Sequence, residues 1–408
     1  MHDPEPHVEQ DARRTRIARA GERMEPGPQP LIEPICQSSV YAFDDAEQAD
    51  GWFMSGMPTY SRDGLPNVRT LERAVADLEG TEDAIAVSSG MAAISMTLLT
   101  LLRSGQHVVI GDDVYCESSS LLETVAIRFG IDITRVDLND AVAVEAAVRP
   151  TTQLVLAETI SNSGMRLLDL PAVSAIAKRR GVLLAVDNTF ATPVLCQPAA
   201  FGADLVIHSA GKFLSGHSDV TTGVVAGSRE LILQLRETAH LYGPVLAPME
   251  AWLATRGMRT LLPRMSWACQ SACRVASWLA GQPGVVSVSY AGLAGSDQAE
   301  LARRVLPHGA GAILSFTLRG DNTVAASFVR GLHLIPYVPS IGGTTTTVSF
   351  PPRAPSRLPM ADLVLPWEHN TLRLSLGLED PADIIADLGY ALATIDGAAT
   401  PVGARRQR

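Results

Sequence analysis

The sequence predicts an α/β fold: a mostly parallel central sheet followed by a smaller α+β C-terminal domain. Two observations carry that expectation. Between residues 84 and 226, short apolar runs alternate with helical segments, the pattern of βαβ units with helices on both faces of a sheet. Near Pro248 the alternation stops, and two long helical segments are followed by isolated strand-like runs.

In chain order, Ala84–Val87 reads as a strand and Met91–Leu102 as a helix. Val108–Ile110, Ile131–Val136, Leu154–Ala157, Val182–Val186, Leu205–Ile207 and Val224–Ala226 read as further strands, with Ser118–Phe129 and Pro171–Arg180 as helices between them. Continuous apolar runs such as Val182–Val186 suit strands buried on both faces. Met249–Thr260 and Arg264–Ala280 read as helices, and Val285–Ser289, Ala312–Leu318 and Thr371–Ser375 as the strands of the smaller unit. The expected division is an N-terminal arm over 1–55, a large domain over 56–248 and a small domain over 249–408. A chain of 408 residues has room for two domains and a large core.

Composition narrows the function. A net charge of −10 argues against nucleic acid as the main partner. No stretch has the length and purity of a membrane span. Residues 1–30 are charged and Pro-rich without an apolar signal core, and read as a flexible solvated arm. The five cysteines are scattered, without metal-ligand spacing, and fit reduced thiols in a cytoplasmic protein.

Only two lysines occur, Lys178 and Lys212. Lys178, in Lys178-Arg179-Arg180, suits the charged end of a surface helix. Lys212 lies between a strand and a Gly/Ser-rich turn, in a chain that otherwise uses arginine for positive charge. Arginine stays protonated and cannot form a Schiff base, so Lys212 is a candidate anchor for an aldehyde cofactor. Asp187 ends an apolar strand, where α/β sheets place ligands, and Ser209 follows the next strand. A lysine, an acid and nearby hydroxyls form the set that pyridoxal phosphate (PLP) needs for its aldehyde, ring nitrogen and phosphate.

The segments Asp187-Asn188-Thr189-Phe190-Ala191-Thr192-Pro193, His208-Ser209-Ala210-Gly211-Lys212 and Gly216-His217-Ser218-Asp219 resemble the Cys/Met-metabolism family of PLP enzymes. Tyr60-Ser61-Arg62, Leu78-Glu79-Gly80, Ser88-Ser89-Gly90-Met91 and Arg373-Leu374-Ser375-Leu376-Gly377 extend the resemblance over about Pro34 to Asp380. It implies the PLP-dependent transferase fold type I.

The resemblance also implies roles. Lys212 would hold PLP and move protons, Asp187 would face the ring nitrogen, and Tyr115 would stack on the ring and assist proton transfer. The strand-to-helix turn at Ser89, Gly90 and Met91 would bind the phosphate, with Ser209 adding a hydroxyl; free N–H groups and the helix dipole suit an anion there. Asn162 would approach the phenolic oxygen. Tyr60 and Arg62 would cross to a neighbouring subunit's phosphate, implying a homodimer with shared sites within a tetramer. Arg373 would grip the substrate carboxylate, with Ser340 in the substrate region.

Several positions depart from the family's pattern. Gly211 stands where a phosphate-binding threonine is usual, Cys116-Glu117 where small residues follow the tyrosine, and Ser163 where a proline follows the asparagine. Thr344–Thr347 stands where an acid is common in cystathionine enzymes, and no family-like His-containing stretch is recognisable in Phe350–Leu358. The expected activity is γ-elimination or γ-replacement on an amino acid other than cystathionine. The alternatives are β-elimination and a catalytically inactive PLP-binding homologue.

Overall fold

A computed structural model describes residues 7–22, 30–55, 59–162, 164–320, 322–350 and 370–396. Ser163 and residues 351–358 therefore lie outside the described residues. Two sheets organise the chain. The larger contains β1 (Asp83–Val87), β2 (His107–Gly111), β3 (Asp132–Val136), β4 (Thr152–Glu158), β5 (Leu183–Asp187), β6 (Leu205–His208) and β7 (Gly223–Gly227), in the order β1-β7-β6-β5-β4-β2-β3. Strands β2 to β6 pair in parallel, whereas β7 runs antiparallel to both β6 and β1. The smaller sheet contains β8 (Val285–Ser289), β9 (Ile313–Leu318), β10 (Thr347–Ser349) and β11 (Thr371–Ser375), all antiparallel, in the order β10-β11-β9-β8.

The central strands feed two apolar layers because successive side chains point to opposite faces. Val109, Val155, Leu184 and Val186 join one layer. Val108, Ile110, Leu154, Leu156 and Ala185 join the other, beneath Ile94 and Leu98 of helix Gly90–Leu101 and Ile232 and Leu235 of helix Arg229–Tyr242. Truncating a fully buried leucine such as Leu154 to alanine would cost roughly 2–5 kcal/mol. Capping fixes where helices begin and end: Ser89 Oγ accepts from the Ala92 amide at 3.0 Å, while Gly80 and Gly181 end their helices in the left-handed conformation.

Two local readings differ from the structure. Residues His7–Ala18 form a helix, not a flexible arm, and Ile17 at its end is buried. That helix packs on helices Pro66–Glu79 and Leu261–Ala280. Strand β10 is not expected from sequence; three residues carry too little periodicity, and its place depends on pairing with β11. Among the described residues, no helix is long and apolar enough to cross a membrane.

Candidate active site

The carboxyl ends of β4, β5 and β6 lie side by side, with Glu158 opposite Asp187 and Asp187 opposite Ile207. Glu158 is an organising group. Its Oε1 accepts from the Tyr115 amide at 2.7 Å and its Oε2 from the Asn162 amide at 2.7 Å. One half-buried carboxylate thus fixes two of the expected site residues. Burial, and next the charge of Asp187, hold the Glu158 carboxyl well above the usual range.

Asp187 Oδ1 accepts from the Thr189 amide at 2.9 Å, and Thr189 Oγ1 accepts from the Ser209 amide at 2.8 Å. Thr189 therefore links the two strand ends, a role that sequence reasoning missed although the residue lies within the Asp187-Asn188-Thr189 signature. Burial pushes the Asp187 carboxyl up, while Thr189 hydrogen bonds and the neighbouring His208 oppose that rise.

The turn into helix Gly90–Leu101 presses against Ser209. A Cβ added at Gly90 would lie 2.7 Å from both Cβ and Oγ of Ser209, so the close approach requires glycine. This brings the Ser209 hydroxyl to a helix N-terminus carrying Gly90 and Met91, a cradle suited to an anion.

Lys212 Nζ donates to Ser340 Oγ at 2.8 Å. The turn at Ser340 is held there by Gly342, at φ 80°, where a Cβ would lie 2.6 Å from the Phe213 amide nitrogen. Burial, then repulsion from Arg373, lower the Lys212 pKa. Arg373, on β11, donates through Nη1 to Asn162 Oδ1 at 3.0 Å, while its Nε is buried without a hydrogen-bond partner. Burial lowers the Arg373 pKa to about 10 against the attraction of Tyr115 and Glu158. Burial first, then Cys116 and Glu117, raise Tyr115 to about 12.

Lys212, Ser340, Arg373, Asn162, Glu158 and Tyr115 thus form one linked group, beside the pair Asp187 and Ser209. Tyr60 and Arg62 lie elsewhere: the Arg62 guanidinium carbon sits 5.4 Å from the Tyr60 ring centroid. Arg62 borders a cavity of about 570 Å³ with Arg69, Glu72, Arg236 and His240; its lining includes neither Lys212 nor Arg373. The threonine run also divides. Thr346 is buried, with its hydroxyl donating to Glu379 Oε2 at 2.6 Å, and Thr347 donates to the Ser340 carbonyl at 3.3 Å, leaving Thr344 and Thr345 exposed. Two of the four hydroxyls in this run are therefore engaged within the protein.

The residues present fit PLP. They provide a partly buried amine on Lys212, an acid at a strand end, a serine at a helix N-terminus and an unpartnered guanidinium nitrogen.

Residues 14–393 match the family described as Cys/Met metabolism PLP-dependent enzyme. An O-succinylhomoserine sulfhydrylase of Pseudomonas aeruginosa is 39% identical over 93% of this chain and 95% of its own length. A cystathionine gamma-lyase of Bacillus subtilis is 39% identical over 89% of this chain and 94% of its own. The crystal structure of metB from Corynebacterium glutamicum superposes with a TM-score of 0.87 at 32% identity, covering 94% of this chain and 98% of that one.

Proposed function

We propose that the chain, which belongs to the Cys/Met metabolism family of PLP-dependent enzymes, performs elimination or replacement at the γ-carbon of an amino acid, and that its preferred substrate is a γ-substituted L-amino acid other than cystathionine. The carrying observation for the site is the placement of Arg373 beside Lys212, with its buried Nε without a partner. A substrate α-carboxylate supplies the acceptor that this nitrogen lacks. The exposed Thr344 and Thr345 support a distal group that carries no cation, since hydroxyls offer a cation less than a carboxylate does.

When bound, the cofactor supplies an electron sink for breaking bonds at the substrate's α-carbon and, next, for acidifying the β-carbon. In this reading Asp187 holds a proton-bearing ring nitrogen, whose positive charge offsets the crowded acids Asp187 and Glu158. Ser209 and the amides of Gly90 and Met91, at the turn capped by Ser89, bind the phosphate. Lys212, its amine steadied by Ser340, takes the α-proton and returns protons along the substrate. Tyr115 would lie against the cofactor ring, and its raised pKa keeps its hydroxyl protonated, as a donor. Asn162, engaged through its oxygen with Arg373, offers its amide nitrogen to the phenolic oxygen.

The proposal includes a cytoplasmic homodimer within a tetramer, with Tyr60 and Arg62 completing the partner's phosphate site. It also includes the division into a large domain ending near residue 248 and a small one after it. In heavy water, a short straight-chain amino acid should exchange hydrogen at both Cα and Cβ. Exchange at Cα alone, with rapid pyruvate release from β-substituted substrates, would favour β-elimination instead. Substrate choice is read separately: cystathionine having the highest kcat/KM among γ-substituted amino acids would overturn the substrate proposal.

A further inference from the structure

Glu79 ends helix Pro66–Glu79, and its side chain is wholly buried together with that of His208. One carboxylate oxygen, Oε1, accepts from Asn188 Nδ2 at 2.9 Å and lies 2.6 Å from His208 Nε2. Asn188 directly follows Asp187, and His208 directly precedes Ser209. A single oxygen thus ties together the ends of β5 and β6 beside the acid and the serine assigned to PLP. Asn188 is further fixed by accepting from the Thr159 hydroxyl at 2.8 Å and donating to the Cys196 carbonyl at 2.9 Å.

The other oxygen, Glu79 Oε2, is buried without a hydrogen-bond partner, and so is Nη2 of Arg13. Arg13 is carried by helix His7–Ala18, which packs directly on the helix that ends in Glu79, and the Glu79 charge acts on it. A buried carboxylate needs a countercharge. Arg13 lies one residue before the family match begins.

We propose that Arg13 is a positioning residue for the cofactor site: it supplies the countercharge to Glu79, which holds Asn188 and His208, and through them Asp187 and Ser209, in place for the ring nitrogen and phosphate. This rests on the reading that Asp187 and Ser209 face PLP. The N-terminal helix is then part of the cofactor-binding apparatus rather than an appendage.

The test is a double-mutant cycle on the full chain, reading PLP affinity and the visible circular dichroism of the bound cofactor without substrate. Arg13→Met should weaken PLP binding roughly tenfold and alter the visible dichroism, consistent with one charge removed near a buried pair. Added to Glu79→Gln, it should change affinity less than twofold, because the charge it serves is gone. Equal effects of Arg13→Met in both backgrounds, or an effect below twofold in the unmodified protein, would overturn the proposal. If Arg13→Met alone does not fold, the double variant should fold, since no buried charge is left unpaired; failure of both also overturns it. Failure of the unmodified protein to bind PLP would instead sink the reading of the site.

Discussion

Arg373 and Asn162, 211 residues apart in sequence, meet side chain to side chain, with Arg373 Nη1 donating to Asn162 Oδ1 at 3.0 Å. The contact joins β11 of the smaller sheet to the loop after β4 of the larger one. It places the guanidinium near enough to Lys212 to lower that amine's pKa, so in the proposed reading one arginine would serve both the substrate carboxylate and the lysine.

Replacing Arg373 with methionine tests both effects. KM for the amino-acid substrate should rise roughly 10- to 150-fold, the loss of a hydrogen bond between charged partners. Arg373 also lowers the Lys212 pKa, second to burial. Attachment of an aldehyde needs the neutral amine, so the rate at which PLP binds the apoprotein should climb at a pH below the ordinary lysine range near about 10.4. Losing the arginine removes a repulsion and raises the lysine pKa, so the climb should move to higher pH. A limb that stays fixed or moves lower would contradict this electrostatic coupling. Growth of the visible cofactor band after mixing gives the rate.

Ser340→Ala removes the hydroxyl that accepts from Lys212 Nζ. The backbone turn should survive, since Gly342 holds it through its own packing. The expected result is kcat lowered about tenfold with PLP retained, matching one charge-assisted hydrogen bond. Unchanged kcat would reduce Ser340 to a turn residue.

Subunit sharing is tested by mixing Arg62→Ala chains with Lys212→Ala chains. Each parent should be inactive. A hybrid dimer has one site carrying both defects and one carrying neither, so mixing should restore activity. No recovery in verified hybrids would place each complete site within one chain.

Gly211 has a packing reason as well as a family departure. A Cβ there would lie 2.4 Å from the Val220 carbonyl oxygen, so any larger residue displaces backbone. Gly211→Thr should therefore cost roughly 1–3 kcal/mol, as overpacking does, and lower the Tm by a few degrees. Tighter PLP binding with no loss of Tm would show that the turn accommodates the side chain.

Much of the candidate site is legible because its proposed chemistry is local in sequence. Lys212 stood out by residue type, and Asp187 by ending an apolar strand. The larger sheet was legible because each buried strand is a short apolar run, but the reversal of β7 was not: Val224–Ala226 reads the same in either direction. Side-chain networks were less legible. The grip of Glu158 on both Tyr115 and Asn162 depends on the end of β4 facing two loops that lie far apart in the chain. The threonine run divides for the same reason: nothing local distinguishes Thr346, tied to Glu379, from exposed Thr344. The N-terminal helix was hidden by its charge, since its stability comes from packing on distant helices.

The account rests most directly on one lysine carrying the cofactor, and borohydride reduction followed by peptide mapping tests it. The purified protein should be yellow, and reduction should fix a single pyridoxyl group on the peptide containing Lys212. A label on Lys178, or none at all, would contradict the assignment.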